Sequence, residues 1–278
     1  MNKQIIHEKQ DLTYLSWAKI RNSSGTAGSF LKAYSELDGQ KTYYKLSDYD
    51  RVEGIVGHEC LNEIIVDRLL DVLGIEHLKY QLLHAQIIVG DKEYDTYLCA
   101  SSDFKRQGES KIALEIYYEA EKKKEESPLA FCIRQGWEQY IYQMLVVDFL
   151  ILNRDRHGAN IEVLRDSAKK EIRLAPLFDH GLSLVCRCHK EEELVGVDVM
   201  EDKPVQCFVG SRSTQRNLDL IPKDKLPQIN SLKEQNREYL FKGLGNITTR
   251  AFRDYYWWLI NRRIEDVKSY QIPFITFR

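Results

Sequence analysis

Three oxygen-bearing side chains stand at a spacing that suits phosphoryl transfer. Asp155 and Asn160 are five residues apart in "LILNRDRHGAN", and Asp179 follows in "FDHG" after a short predicted β-hairpin. An aspartate can orient an attacking hydroxyl and accept its proton, while an amide oxygen and a second carboxylate suit Mg²⁺. This order of residues is typical of a kinase catalytic loop followed by a metal-binding loop. We therefore predict Asp155 as catalytic base and Asn160 and Asp179 as metal ligands.

Other residues of the same two loops have less certain roles. Arg154 or Arg156 could meet phosphate, because guanidinium donors match its oxygens, but a structural role stays open for both and for His157. Gly181 is expected to allow a tight turn that carries the metal loop into the cleft.

A small-residue loop near the N-terminus is a candidate for holding phosphate. The stretch "NSSGTAGSF", residues 22–30, precedes a predicted strand, and its backbone N–H groups could cradle phosphate oxygens. It is neither a Walker A sequence nor a full G-x-G-x-x-G motif, so an ordinary Ser/Gly loop remains the alternative. The predicted nucleotide-contacting residues are Ser24, Gly25, Thr26, Ala27 and Gly28.

A lysine and a glutamate complete the predicted nucleotide site. Lys45 lies in "TYYKLS", 17 positions after Gly28, at the end of the next predicted strand, and Lys32 and Lys41 are alternatives. A kinase lysine is normally steadied by a helix glutamate. We prefer Glu63 to Glu59, because Val66 and Leu70 continue its stripe along the helix and indicate a partly buried face.

The connecting stretch "TYLCASSDF", residues 96–104, falls where a hinge would contact adenine through backbone groups. Cys99, at its centre, is the residue predicted to contribute to nucleotide binding.

The elements that must position these residues differ between the two parts of the chain. Residues 1–100 are predicted to be mostly sheet, with one hairpin turning at Asp38–Gly39, another near Gly90–Asp91, and a helix over 57–75 that stops at Gly74. Residues 101–278 are predicted to be mainly helical. The fold class is therefore α+β, a bilobal protein-kinase-like fold with a sheet-rich N-lobe and a mainly helical C-lobe.

The C-terminal part has four further expectations. Residues 111–127, with "EAEKKKEES", should be a solvated surface segment or a mobile insertion, and residues 131–152 should form one long apolar helix. "NIEVL" and "EIRLAPLF" should pair as strands joined by a polar turn. The segment 248–270 should be a helix whose aromatic residues pack in the core.

Composition restricts the function classes. With 278 residues, 43% hydrophobic residues and a net charge of −2, the chain has no basic field for nucleic acid and no run of about 18 apolar residues for a membrane span. Six cysteines and an N-terminus without an apolar signal core indicate a cytoplasmic protein, with export by a route that needs no signal peptide as the alternative. "CRCH" at residues 186–189 is interpreted as ordinary cysteines rather than a zinc site, which needs paired ligands at two places.

The sequence resembles the HipA-like protein kinases. "DFLILNRDRHGANIEVL" followed by "IRLAPLFDHGLSL" is similar to that family's N-x-D-x-H-x-x-N loop and L-x-P-x-[FY]-D segment, and "NEIIVDRLLDVLGI" is similar to its NE…LG helix. The candidate phosphate loop begins near residue 22, so the chain is most similar to compact members that lack the N-terminal antitoxin-binding subdomain.

The resemblance implies a kinase that uses ATP and Mg²⁺ to phosphorylate Ser or Thr on a protein acceptor. It also implies autophosphorylation in the phosphate loop, for which Ser23, Ser24, Thr26 and Ser29 are the candidates. Two alternatives stay open: a phosphotransferase acting on a lipid or small molecule, and a pseudokinase that serves as a binding module. The sequence predicts neither the protein substrate nor the oligomeric state.

Overall fold

The N-terminal part of the chain is built around one five-stranded sheet. A computed structural model describes residues 4–18 and 30–271. The strands of this part are β1 (Ile5–Asp11), β2 (Lys32–Leu37), β3 (Gln40–Lys45), β4 (Tyr49–Asp50), β5 (Gly54–Ile55), β6 (Tyr80–Val89) and β7 (Lys92–Ser102). The large sheet has the order β1-β6-β7-β3-β2, and only its β1–β6 pair is parallel.

Two hairpins form where the turn residues predict them. Asp38 and Gly39 join β2 to β3 with φ of 50° and 74°, the left-handed pair that matches the twist of adjoining strands. Gly90 joins β6 to β7 with φ of 62°. The second hairpin supplies two of the three inner strands of the sheet. Both hairpin predictions are confirmed.

Helix α1 (Glu59–Leu73) lies between the sheet and the rest of the molecule. It ends at Gly74, which has φ of 68° and donates its N–H to the last turn, as predicted. Every residue from 59 to 70 is buried, including polar ones, because strands cover one side and the C-terminal part covers the other. The helix is thus buried all round rather than on the one face that its apolar spacing predicted.

The C-terminal part is mainly helical. Its elements are β8 (Glu109–Ala113), α2 (Leu114–Glu121), α3 (Pro128–Arg134), α4 (Glu138–Leu150), β9 (Asp155–Arg156), β10 (Glu162–Asp166), β11 (Glu171–Leu174), β12 (Gln206–Cys207), α5 (Thr214–Leu218), α6 (Glu234–Phe241) and α7 (Arg250–Gln271). The predicted β10–β11 hairpin is present, and β8 adds to its other edge. The predicted α+β class is confirmed, while the lobe boundary near residue 100 stays a prediction.

The prediction of one continuous helix over residues 131–152 is wrong. Gly136 has φ of 79° and breaks the segment into α3 and α4, with Trp137 as the N-terminal cap of α4. Ser127 and Pro128 start α3: the Ser127 hydroxyl accepts the N–H of Ala130 at 3.2 Å, and proline suits the first helical turn.

The expectation of a solvated or mobile segment over residues 111–127 is wrong for its first half. Leu114, Tyr117 and Tyr118 are buried on one face of α2, and both tyrosine rings meet Phe131 edge-on, with centroids 5.9 and 5.4 Å away. The charged residues between 119 and 125 are exposed. Leu114, Tyr117 and Tyr118 have the i, i+3, i+4 spacing of an apolar helix face. The many charged residues of the segment made this face hard to recognise in the sequence.

The aromatic residues of α7 divide between core and surface. Phe252 and Tyr256 are buried, as predicted, whereas Trp258 is half-exposed. Arg263 is buried too: its Nε donates to the Phe149 carbonyl and its guanidinium lies 3.8 Å from the Phe149 ring centroid. The last helix therefore packs directly on α4, which leads into the predicted catalytic loop. In the described residues, no helix is long and apolar enough to cross a bilayer.

Candidate active site

A buried chain of charges joins the two parts of the molecule. Lys45, at the end of β3, donates from Nζ to Glu63 Oε1 at 2.8 Å and to Asp179 Oδ1 at 2.6 Å. The Lys45 and Glu63 side chains are 10% and 0% exposed. The structure thus brings together three of the residues that the sequence predicted for nucleotide and metal binding.

The ammonium of Lys45 stays charged in this setting. Burial acts to lower the pKa of Lys45, but the Asp179 and Glu63 carboxylates outweigh it and hold the pKa well above its ordinary value. A permanent positive charge beside a carboxylate suits a group that must bind phosphate.

Neighbouring residues of α1 fix the metal loop. The Asn62 amide donates to the carbonyl oxygens of Gly181 at 3.0 Å and Ser183 at 2.9 Å. The second carboxylate oxygen of Glu63 accepts the backbone N–H of His180 at 2.9 Å. Glu63 therefore positions both Lys45 and the loop that carries Asp179, which is a physical reason for preferring it to Glu59.

The turn at the metal loop is made by Asp179 and not by the glycine that follows it. Asp179 has φ of 59°, and its backbone N–H donates to the hydroxyl of buried Tyr80 at 3.2 Å. Gly181 serves a different purpose from the expected one. A Cβ there would lie 3.0 Å from Lys45 Nζ and 3.1 Å from the Glu59 Cβ, so glycine permits close packing against α1.

The predicted catalytic loop runs along β9 into a short 3₁₀ turn. The Asp155 side chain is 22% exposed, and its Oδ1 lies 3.6 Å from His157 Nε2. His157 Nδ1 accepts the Ala159 N–H, so the neutral ring carries its proton on Nε2, facing Asp155. The Asn160 amide donates to the Asp155 carbonyl at 2.7 Å, so its oxygen is the atom that can coordinate a cation.

Arg156 is an internal anchor rather than a phosphate ligand. Its guanidinium is buried and pairs with the Asp148 carboxylate of α4, with an Nη2–Oδ1 distance of 2.9 Å. Nη1 donates to the carbonyl oxygens of Asn160 at 3.2 Å and Phe178 at 2.9 Å. One guanidinium thus holds the catalytic and metal loops together, which resolves the open role of Arg156 in favour of structure.

Gly158 lets the catalytic loop approach α2. A Cβ at this position would lie 2.5 Å from the Glu115 Cβ and 3.1 Å from the Glu115 backbone nitrogen, closer than real contacts allow. The loop is therefore positioned by close packing as well as by hydrogen bonds.

A cleft of about 390 Å³ opens between the large sheet and the C-terminal part. Lys45, Tyr80 and Asp179 line it together with other aromatic residues, among which the Phe104 and Phe178 ring centroids are 5.5 Å apart. Because aromatic rings can stack on a base and ammonium groups can pair with phosphates, this lining suits a nucleotide. Ala159 of the catalytic loop lines the cleft, whereas Asp155 and Asn160, the predicted base and metal ligand, are not among its lining residues.

Cys99 lines this cleft from inside the sheet. It pairs with Lys45 on β3 and Leu82 on β6, and its thiol donates to the Cys60 carbonyl at 3.0 Å. The chain leaves the sheet only after Ser102. A hinge-type backbone contact is therefore expected from the end of the 96–104 stretch, while Cys99 is a buried residue of the cleft wall.

Lys32 is a cleft residue that sequence analysis gave only as an alternative to Lys45. It begins β2, lines the cleft, and places Nζ 3.6 Å from Asp179 Oδ2. Lys32 pairs with Lys45 across the β2–β3 ladder, so the sheet itself brings both ammonium groups to one carboxylate. The strand register, readable from the Asp38–Gly39 turn, is the signal that could have found it.

The predicted phosphate loop lies outside the described residues. This applies to Ser23, Ser24, Gly25, Thr26, Ala27, Gly28 and Ser29. Phe30, which follows directly, is buried with its ring centroid 4.9 Å from Lys45 Nζ.

Another group of metal-type donors lies away from the cleft. Asp67, Asp71 and His77 place ligand atoms within 4.8 Å of one another. The Lys79 ammonium already contacts Asp71 and lies 3.0 Å from His77 Nε2, while Asp67 accepts the Tyr80 N–H at 2.7 Å. A lysine therefore supplies the positive charge there, and the group stabilises the start of β6.

No protein-family model and no curated protein matches the sequence. Among solved structures, the proinflammatory kinase CtkA of Helicobacter pylori matches with a TM-score of 0.63 and 15% identity, covering 95% of this chain and 96% of CtkA. HipA in the toxin–antitoxin complex of Shewanella oneidensis MR-1 with HipB and operator DNA gives a TM-score of 0.41 and 15% identity, covering 91% and 60%. The second score is too low to establish a shared fold. The first shows that the predicted compact kinase-like fold is correct over nearly the whole chain.

Proposed function

We propose that this chain is an ATP- and Mg²⁺-dependent serine/threonine protein kinase. The observation that carries the proposal is the Glu63–Lys45–Asp179 charge chain, because Lys45 and Asp179 line a cleft of about 390 Å³ that is large enough for a nucleotide. The likeness to a structure described as a kinase supports it, because the shared fold extends over 95% of the chain.

The donors present fit a magnesium ion. Asp179 offers a carboxylate and Asn160 an amide oxygen, the hard oxygen ligands that Mg²⁺ takes. Arg156 ties the backbones of Phe178 and Asn160 to one guanidinium, which keeps the two ligand-bearing loops adjacent. A bound Mg²⁺ would neutralise charge on the phosphate oxygens of the nucleotide.

Residues of this chain bind the nucleotide phosphate and accept the proton of the acceptor hydroxyl. Lys45, steadied by Glu63, binds nucleotide phosphate through its permanent charge. Asp155 orients the acceptor hydroxyl and takes its proton as the oxygen–phosphorus bond forms and the bond to the departing ADP breaks. His157 Nε2, which carries the ring proton and lies 3.6 Å from Asp155 Oδ1, helps to orient that carboxylate.

We further propose that one acceptor is the chain itself. Ser29 directly precedes Phe30, whose ring centroid lies 4.9 Å from Lys45 Nζ, and Ser23, Ser24 and Thr26 stand shortly before it in the sequence. Other acceptors would be proteins bearing Ser or Thr. A cytoplasmic location is supported by six free cysteines, five of them buried.

The test is transfer of labelled phosphate from ATP with Mg²⁺ to the protein and to a generic protein acceptor. We expect phosphoserine or phosphothreonine that maps to residues 23–29, and loss of at least 100-fold in rate for Asp179→Ala, since a metal ligand is removed. Label on a lipid or small molecule but on no protein would refute the protein-kinase proposal. Full activity in Asp179→Ala would refute the assigned site.

A further inference from the structure

A second charged group lines the nucleotide cleft, besides the residues assigned to phosphate and metal. Among the described residues of the cleft wall, two are acidic, Asp179 and Glu162. Asp179 meets Lys45 and Lys32, which face phosphate. Glu162 instead faces Lys111, with 3.7 Å between the glutamate Oε2 and the lysine Nζ. We call these two residues the Glu162–Lys111 pair.

Two neighbouring strands place the Glu162–Lys111 pair in the cleft. Glu162 begins β10, two residues after Asn160, and Lys111 lies on β8, which pairs with β10. In this antiparallel ladder Leu164 lies opposite Lys111 and Ala113 lies opposite Glu162, so the charged residues are diagonal neighbours on one face. Glu162 is 6% exposed, so its carboxylate is largely shielded from bulk water.

Aromatic residues of the cleft lie close to this pair. Lys111 Nζ is 5.5 Å from the Tyr43 ring centroid and 5.6 Å from that of Phe104, which in turn lies 5.5 Å from the Phe178 ring. Burial and nearby carboxylates, Glu162 among them, raise the pKa of Tyr43 to about 12, so its hydroxyl stays protonated. Such rings stack on the flat face of a base, which leaves the charged pair to meet its edge.

Stability alone gives little reason for a charged pair in this place. Taking two charges out of water costs about as much as their attraction returns, so apolar residues of similar size would pack at least as well. A carboxylate accepts up to about four hydrogen bonds, so the contact with Lys111 does not exhaust the capacity of Glu162. The Glu162–Lys111 pair therefore suits a ligand that offers N–H donors beside an acceptor.

We propose that the Glu162–Lys111 pair binds the edge of the nucleotide base and lets the cleft take GTP as well as ATP. Guanine offers two adjacent donors, N1–H and the 2-amino group, which one carboxylate accepts together, while its O6 accepts from an ammonium. Adenine offers only its 6-amino group as donor and N1 as acceptor, so it makes one hydrogen bond fewer with the pair. A bidentate contact to a base edge discriminates between bases by about fivefold to a hundredfold.

This inference rests on the proposed function, because it names the phosphate donors of the same cleft. ATP and GTP carry the same triphosphate, so the residues that face phosphate and metal serve either one. The transfer step is also the same for both. The acceptor hydroxyl oxygen bonds to the γ-phosphorus, its proton passes to Asp155, and GDP leaves in place of ADP.

Equilibrium binding of the Mg²⁺ complexes of β,γ-imido ATP and β,γ-imido GTP tests the inference without requiring phosphate transfer. We expect the wild-type protein to bind the GTP analogue at least as tightly as the ATP analogue. Glu162→Gln keeps the side-chain size but removes one acceptor oxygen, so the Kd for the GTP analogue relative to that for the ATP analogue should rise about fivefold or more. Glu171→Gln, which removes the same charge from an exposed position on β11, is the control and should leave both constants unchanged.

The inosine analogue tests the same contact in the wild-type protein, so it serves even if Glu162→Gln does not fold. Inosine lacks the 2-amino group of guanine, and its β,γ-imido triphosphate should bind about fivefold or more weakly than the GTP analogue. Equal binding of these two analogues, or an unchanged Kd ratio in folded Glu162→Gln, would overturn the inference and leave the kinase proposal intact. Failure of both the ATP and the GTP analogue to bind would contradict the proposed function and this inference together.

Discussion

The carboxylate of Asp179 sits between two ammonium groups. Oδ1 meets Lys45 at 2.6 Å and Oδ2 faces Lys32 at 3.6 Å. Lys45 is buried and also pairs with Glu63, whereas the Lys32 side chain is 32% exposed. The two lysines should therefore differ in what their loss does to the protein.

Lys32→Met is expected to weaken nucleotide binding without unfolding the protein. Losing one of the two ammonium groups beside Asp179 should raise the KM for ATP about tenfold, with a smaller change in kcat. Stability should fall by about 1 kcal/mol or less, the usual range for a partly exposed ion pair.

Lys41→Met is the matched control, since Lys41 lines the same cleft but places Nζ 3.9 Å from the Tyr34 ring centroid. Steady-state kinetics at varied ATP measures both variants. Equal KM values for the two would show that Lys32 has no special part in phosphate binding.

At the residue scale, local pattern predicted some contacts and not others. The pairing of Lys45 with Glu63 could be predicted, because an apolar stripe marked the buried side of α1. The bond between Tyr80 and the Asp179 N–H joins residues 99 positions apart, and an aromatic residue opening a strand gives no sign of it. Lys32 differs from Tyr80 in this respect, because the register set by the Asp38–Gly39 turn could have placed it beside Lys45.

Elements of the site are held by close packing at glycines. Gly181 brings the metal loop against the first turn of α1, where an added Cβ would lie 3.3 Å from the Glu59 backbone oxygen. A helix backbone cannot yield as a side-chain tip can, so the loop itself must move.

Gly181→Ala should therefore lower kcat/KM about tenfold or more, by displacing Asp179 relative to Lys45. It should also cost about 1–3 kcal/mol of stability through overpacking. Gly196→Ala is the control, because nothing lies within 4 Å of a Cβ there. Phosphoryl-transfer kinetics and urea unfolding measure the two effects, and equal behaviour of both variants would contradict the packing argument.

The start of α1 should make stability depend on pH. His58 precedes the helix, and its ring lies 4.8 Å from Phe252 and 6.3 Å from His189. Burial and the neighbouring His189 lower the pKa of His58, against a hydrogen bond with the Cys188 backbone. Below the unfolded pKa of about 6.5, the unfolded chain takes up a proton that the folded chain resists, so stability falls as pH falls.

His58→Asn should accordingly flatten the loss of stability between pH 7 and 5.5. One proton accounts for at most about 1.4 kcal/mol per pH unit, and asparagine is also a good helix cap. Urea unfolding at each pH measures this, with an unchanged m-value as the control for two-state behaviour. A slope as steep in the variant as in the wild-type protein would exclude His58 as its source.

At the element scale, the sequence predicted the turns and helix ends that are specified by glycine or aspartate. Asp38–Gly39, Gly74 and Gly90 each stand where a left-handed backbone is required. They correctly predicted two hairpin turns and the end of α1. Gly136 has the same conformation but lay inside an apolar run that favoured one long helix. The burial of three residues of α2 could not be predicted from the composition of the segment. Composition averages over the buried and exposed faces of a helix, and the exposed face of α2 is rich in charged residues.

At the scale of the whole molecule, the order of elements predicted the architecture. A sheet-rich stretch followed by a helical one gave the α+β class, and the shared fold with CtkA extends over 95% of the chain. What the sequence could not predict is how the two parts are joined. Asn62, Glu63 and Arg68 make those contacts from inside α1, where the Arg68 Nη1 donates to the Leu240 and Lys242 carbonyls at 2.8 Å.

The central claim is that the cleft transfers phosphate with Asp155 as the base. Its most direct test is the single-turnover rate of phosphate transfer from Mg·ATP to a protein serine or threonine. Asp155→Asn keeps the size of the side chain but cannot accept the proton, and Asp198→Asn, an exposed residue outside the cleft, is the control. The account predicts a rate at least 100-fold lower for Asp155→Asn and a wild-type rate for the control. Equal rates for Asp155→Asn and the wild-type protein would contradict it.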